Sequence, residues 1–419
     1  MRLPFARRAS RAGASIPASA PDGPGAGSPS PDPTPRAPAP PEPGPLVPDG
    51  APDVARRFHA PARLVFDEPI AEEALLTPWQ RDPHVDVSGV SIVERRDLRL
   101  WTDIRSMCVH DGAGGPDPSL SLSHGGLDYA RAVRTPLDRL PGTTAILPHL
   151  DPHNYYHWLI DTLPCLGVFG LDGRPLDRID RFYVHRTGEG FQREALARLG
   201  VGPERIVSFD GGDHHYELER ALVPLFRLDG GAWPHPWALS WLKATFLGAG
   251  DGPGAGEGGG PGAGDRAPGA AAPKPLYVRR GRARRAVANE AALECRLVEL
   301  GFEVLDPATC CLEAQARAFA RADGVLGAHG AGLANVAFCR PGTRVMEFAG
   351  RYVTTHFRIL ARLGGLRYRA IPAGVDTRGE RLPTGHGAEH RDADFACDVD
   401  AIARAAADWF DLPPQRNAT

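Results

Sequence analysis

Three residues pose the first chemical question. In the string HNYYHWLID, His153, His157 and Asp161 recur every four residues. On a helix that spacing puts them on one face. A face with two imidazoles and a carboxylate can remove a proton from a hydroxyl, with His157 or Asp161 as the base. It can also chelate zinc or iron through the HxxxH pair. The plainest reading is a buried histidine hydrogen-bonded to an acid.

The second question comes from GVLGAHGAGLANVAF, residues 324–338. Here a short apolar strand ends in small residues, His329 follows, and Gly330, Ala331 and Gly332 open a helix. Glycines at such a turn let backbone amides approach a ligand, and a helix N-terminus favours a diphosphate. The string is neither the six-position GxGxxG fingerprint nor a Walker loop, so it supports neither a nicotinamide cofactor nor a P-loop. A Gly-rich turn needed only for packing is the competing reading.

Arginines 279, 280, 282, 284 and 285 follow the strand LYVRR, and their forked donors suit phosphate oxygens. Glu347 ends another strand, where a carboxylate could accept from ribose hydroxyls or merely cap a surface. The DAD string at 392–394 and the DVD string at 398–400 lie in a polar loop and at a helix start. They read as caps and solvated acids rather than as holders of a divalent metal.

The elements that must position these residues come next. Residues 1–53 hold 15 prolines and cannot bury enough apolar surface to offset ordering, so they read as a disordered tail. Residues 248–275 hold 11 glycines and five prolines in 28 positions and read as a linker or loop insertion. Between and after these tracts lie two blocks, 54–247 and 276–419, each large enough for a core. In the second block strand and helix alternate: 276–280, 302–305, 324–328, 344–348 and 366–371 as strands, with helices at 289–300, 312–322 and 355–364. That alternation predicts a doubly wound parallel sheet. The first block predicts strands at 144–148, 181–185, 205–209 and 220–224, and helices at 153–164 and 191–200. Residues 54–140 read as mixed, with antiparallel strands. A capped amphipathic helix is predicted over 398–410.

Composition bounds the function. The formal charge is −3, which suggests neither a nucleic-acid partner nor a basic membrane patch. Only Lys243 and Lys274 among the 48 basic residues are lysines. No apolar run approaches the length of a membrane span, and the basic N-terminus lacks the apolar stretch of a signal peptide. The expected location is the cytoplasm. Arg2, Arg7, Arg8 and Arg11 leave a peripheral contact with the inner face of the membrane open. The seven cysteines form no CxxC pair and are expected to be reduced thiols.

In combination and order, NYYHWLIDTLP (154–164), YVRR (277–280), RRAVANE (284–290), GFEVLDP (301–307), EAQARAFARADGVLGAHGAGLANVAF (313–338) and PGTRVMEF (341–348) resemble glycosyltransferase family 61. The resemblance spans roughly residues 144–350. It implies a GT-B architecture, two Rossmann-like α/β domains facing across a cleft. It implies a nucleotide-sugar donor, bound in the C-terminal domain, and inverting transfer to a hydroxyl or glycan acceptor. On this reading Asp161 and His157 serve catalysis, and Arg280, His329, Gly330, Ala331, Gly332 and Glu347 bind the donor. No metal or other cofactor is expected. This chain has Arg279 where the family has serine before the shared arginine, and Ala314 where it often has glutamate. His153 falls outside the shared pattern. A role in surface or capsular polysaccharide synthesis follows from the family's bacterial members. Two other readings remain: a non-catalytic nucleotide-sugar-binding protein, and a metal-dependent hydrolase built on His153, His157 and Asp161.

Overall fold

A computed structural model of the chain describes residues 54–65, 84–226, 233–248, 274–383 and 391–412, apart from 112–114, 125, 127, 210 and 283. The tail and most of the linker expected from composition lie outside the described residues.

The first half contributes β1 (Val54–His59), β2 (Ala62–Val65), β3 (His84–Val87), β4 (Val90–Asp103), β5 (Ser106–His110), β6 (Leu122–Ser123), α1 (Tyr129–Arg134) and β7 (Leu137–Leu147). After them come α2 (Pro164–Leu171), β8 (Arg181–Val184), α3 (Gly190–Arg198), β9 (Ile206–Ser208), β10 (His214–Leu225) and α4 (Trp237–Leu247). The second half contributes β11 (Pro275–Val278), α5 (Glu290–Glu299), β12 (Glu303–Leu305), α6 (Leu312–Arg321), β13 (Gly324–Ala328), β14 (Arg344–Ala349), α7 (His356–Leu363), β15 (Arg367–Pro372) and α8 (Val399–Trp409).

The second half agrees with the alternation in the sequence. Its sheet is wholly parallel, in the order β12-β11-β13-β14-β15. The order reverses between β11 and β13, the switch point at which open α/β sheets receive ligands. One difference is local: the turn after β13 leads into a 3-10 helix, Ala331–Phe338, rather than an α-helix.

The first half departs from a plain Rossmann unit. Its eight strands run β6-β5-β4-β10-β7-β8-β9, with β1 also on β4. Strands β10, β7, β8 and β9 are parallel neighbours. Strands β1, β4, β5 and β6 add an antiparallel half, joined where β4 meets β10. The mixed reading of residues 54–140 agrees with this.

Alternation along the strands assigns each face of the second sheet. Leu276, Val278, Val325 and Val345 point to one side, and Tyr277, Leu326, Met346 and Phe348 to the other. The second side packs on α5 and α8 through Leu293, Leu297, Ile402 and Ala406. Helix α8, capped by Asp398 as its sequence predicts, therefore completes the second sheet and does not cross to the first. The other side shares one core with the first sheet. That core joins Ala145, Leu147, Phe182 and Leu222 to Val325 and Val345 through α2, α4, α6, α7 and the 3-10 helix. Phe246 of α4 meets Phe338 edge-on at 6.1 Å, and Glu194 of α3 accepts from the Leu312 amide at the start of α6. Among the described residues, no helix is long and apolar enough to cross a membrane.

Candidate active site

The HNYYHWLID motif does not form the single α-helix its spacing predicts. Residues His157–Thr162 form a π-helix, in which the Leu163 amide bonds to the Trp158 carbonyl five residues back. Pro164 explains the break. It has no N–H for the Ile160 carbonyl, and its ring would crowd that carbonyl in an α-helical turn. The widened turn carries the chain into α2, where proline suits the first position. Such bulges are frequent at functional sites.

The widened turn keeps His157 and Asp161 together, with Nδ1 and Oδ2 2.7 Å apart. It does not bring His153 to them, because His153 precedes the helix. The third group is His149, two residues past the carboxyl end of β7, whose Nε2 lies 3.5 Å from the same carboxylate oxygen. The His149 and His157 rings lie 4.6 Å apart. Only 1% of the Asp161 side chain is exposed, against 29% for His157. The two residues are thus inner and outer members of a dyad. An ionised carboxylate only accepts, so His157 donates through Nδ1 and keeps the Nε2 lone pair for another partner.

His149, His157 and Asp161 could in principle hold a metal, since one ligand atom of each lies within 4.8 Å of the others. The hydrogen bonds argue otherwise for this arrangement. The Asp151 amide donates to His149 Nδ1 at 3.0 Å. A neutral His149 then carries its proton on Nε2, the atom that faces Asp161. Burial lowers the His149 pKa and favours that neutral form. As arranged, the nitrogen nearest Asp161 offers a proton rather than a lone pair. The hydrolase reading based on His153, His157 and Asp161 loses its first ligand.

The residues expected to bind a donor gather at the switch point. Arg280 follows β11 and His329 follows β13, so the carboxyl ends of adjacent parallel strands bring them together. Glu290 fixes the loop. Its oxygens accept from the backbone amides of Arg280 at 2.6 Å and Gly281 at 2.8 Å, and from the Tyr277 hydroxyl at 2.8 Å. The Arg280 guanidinium donates to the carbonyls of Arg284 and Arg285 and rests against Gly330. A Cβ at Gly330 would press on the Arg280 guanidinium, which would have to shift. Burial first, then the charge of Arg285, brings the Arg280 pKa down to about 10. The group stays cationic at neutral pH in a setting that favours an anion.

Arg279, by contrast, is bound to Glu294 and Asp306, and Arg284 to Asp392. Arg282 is exposed. Arg285 has a left-handed φ of 61° and lies 5.1 Å over the Tyr352 ring, which itself lies 5.5 Å from His329. Asp394 accepts from the Ala286 amide and Asp398 caps α8. Asp398 is a cap, as its setting in the sequence suggests, while Asp392 pairs with Arg284 instead of remaining a solvated acid.

Glu347 is where the expected role and the geometry part. It is fully buried, bonded through one oxygen to His329 Nδ1 and through the other to the Tyr368 hydroxyl. A carboxylate so enclosed does not meet a ribose. It orients His329 from below, much as Asp161 orients His157. Ala331 and Gly332 begin the 3-10 helix, whose first amides have no partner within it.

The two sides are tied together by groups that the sequence does not single out. The Tyr155 hydroxyl donates to Asn335 Oδ1 at 2.7 Å, and Asn335 donates to Gln315 Oε1 at 2.8 Å. Phe357 of α7 meets Tyr156 at 5.9 Å and His329 at 5.2 Å. A sequence signal for His149 did exist: it directly follows the predicted strand 144–148, where parallel sheets present functional groups. Glu290 was visible only as an acid in a first helical turn.

A hydrogen-bonded His–Asp pair on one side and a cationic, Gly-lined strand terminus on the other are groups of the kind a transferase needs. The family model described as Glycosyltransferase 61 matches residues 155–346, and this match supports a glycosyltransferase. The match includes His157, Asp161, Arg280 and His329–Gly332; it leaves out His149, Glu347 and Arg358. No curated protein matches the chain.

Proposed function

We propose that the protein is an inverting hexosyl- or pentosyltransferase of GT-B type that moves a sugar from a nucleotide sugar to a hydroxyl acceptor. The observation that carries this reading is the hydrogen bond between half-exposed His157 and buried Asp161. His157 Nε2 takes the acceptor proton as the acceptor oxygen attacks the anomeric carbon. Asp161 holds the productive tautomer and balances the imidazolium that forms. His149 is a second positioning residue behind Asp161. The glycosidic bond forms as the bond to the nucleoside diphosphate breaks on the opposite face, which inverts the configuration.

Negative charge then grows on the leaving diphosphate. Arg280, His329 and the amides of Gly330, Ala331 and Gly332 are arranged to receive it, and preorganised donors act most where charge develops. Glu347 supports this through His329. The proposed division is a donor-binding half at 276–419 and an acceptor-side half at 54–247, joined through 248–275. We assign the reaction to the cytoplasm, without a required metal, in the synthesis of a surface or capsular polysaccharide.

The test is a thermal-shift panel of UDP-, GDP-, CMP- and dTDP-sugars, with and without EDTA. A ligand at a hundred times its dissociation constant adds about 2.7 kcal/mol of stability. The expected result is a shift with one nucleotide class, insensitive to EDTA and lost in Arg280→Ala. No shift with any nucleotide sugar, together with loss of stability in EDTA, would overturn the reading.

A further inference from the structure

Among the described residues, several half-buried arginines meet an acid and others, such as Arg280 and Arg205, donate to carbonyls. Arg56 pairs with Asp172, Arg174 with Glu94, and Arg279 with Glu294 and Asp306. Arg358, in the first turn of α7, does not. It is 6% exposed, and its Nη2 is enclosed with no hydrogen-bond partner. Among the described residues, no carboxylate pairs with it. Its titratable neighbours are the Arg362 cation, one turn on, and the Tyr368 hydroxyl, which burial keeps neutral. A guanidinium remains protonated in proteins, and an enclosed cation without an anion is unfavourable.

The position of Arg358 suggests what it serves. Its neighbour Phe357 touches His329 on the donor side and Tyr156 on the acceptor side. His356 also packs on Tyr156, at 4.8 Å. Tyr368 donates to Glu347, which holds His329. Arg358 therefore sits on the element between the two halves of the site. The diphosphate already has Arg280, His329 and the amides of the 3-10 helix. We propose that Arg358 receives a further anionic group of the substrates, a carboxylate or phosphate oxygen. A carboxylate on the transferred or the accepting sugar suits it best. This rests on the glycosyltransferase reading of the site.

The experiment compares wild type with Arg358→Met, which keeps the apolar stem, and Arg358→Lys, which keeps the charge. Unfolding temperature is measured without ligand. Affinity is measured for inorganic pyrophosphate, for nucleoside diphosphates, for a nucleotide-linked uronate beside its neutral hexose, and for an oligouronide beside a neutral oligosaccharide. In the expected result Arg358→Met unfolds at or above the wild-type temperature. It also loses about ten- to a hundredfold in affinity for one acidic ligand. The neutral counterpart is unaffected, and Arg358→Lys recovers part of the loss. Loss in the pyrophosphate arm identifies a phosphate, in the uronate arm a donor carboxylate, and in the oligouronide arm an acceptor carboxylate. If Arg358→Met unfolds at a lower temperature and binds every ligand as wild type does, Arg358 is structural and the proposal falls. If wild type itself binds no nucleoside diphosphate, the reading of the site falls first and takes this proposal with it.

Discussion

Asp161→Asn is the most informative single change, because the substitution nearly preserves shape. Asp161 is enclosed, and its Oδ2 faces His157 Nδ1 at 2.7 Å and His149 Nε2 at 3.5 Å. An asparagine can turn its carbonyl to the same place and still accept from His157. What it removes is the negative charge that balances the imidazolium as the proton arrives. A hydrogen bond to a charged group is worth about 1.5–3 kcal/mol. The expected fall in kcat is therefore about ten- to a hundredfold. The KM for the donor should not move, because the proposed donor site lies at the other sheet. His157→Ala removes the base itself and should cost about 10²- to 10⁴-fold in kcat. The double variant should resemble His157→Ala alone, since the two residues act as a unit. The assay is steady-state release of nucleoside diphosphate with the donor identified by thermal shift. Near wild-type kcat in both single variants would refute the base assignment. A rise in donor KM at unchanged kcat would place the pair in donor binding instead.

Four further outcomes are expected. Gly330→Ala forces the Arg280 guanidinium from its seat and should weaken nucleoside diphosphate binding about tenfold in calorimetry, with little change in unfolding temperature. His149→Phe keeps a ring against His157 but offers Asp161 no proton; kcat should fall while donor affinity holds, and His149→Gln should recover part of the rate. Phe338→Ala removes a buried ring between the two sheets and should cost about 3–5 kcal/mol in denaturant unfolding. Burial brings His110, His185 and His235 down to about 4 from an ordinary 6.5. The unfolded chain then binds more protons than the native one between those values. Stability should fall as pH drops from about 6.5 to about 4, and a flat unfolding temperature across that window would contradict this.

Much of the second half was legible because its information is local. Each strand is a short apolar run, each helix a periodic stretch, and Gly330 and Gly332 mark a turn whose form depends on near neighbours. Alternation of this kind determines a parallel sheet, and the loop after a strand's carboxyl end determines where Arg280 and His329 can act. His157 and Asp161 were legible for the same reason, being one turn apart. The cap at Asp398 was equally local, whereas Asp394 accepts from the distant Ala286 amide.

The remaining features depend on residues far apart in the chain, and only the tertiary structure decides them. Periodicity placed His153 beside His157, but Pro164 opens a π-turn and His149 arrives from the end of β7 instead. Glu347 ends a strand as expected. Its neighbours across the sheet and beyond the next turn, Tyr368 and His329, enclose it, and so convert a candidate ribose ligand into a support for His329. Helix α8 is amphipathic on any reading, yet which sheet its apolar stripe meets is settled by the face that α5 leaves open. Arg358 is one arginine among many in the sequence. Its isolation from every acid follows from how α7 packs, and no spacing rule could reveal it.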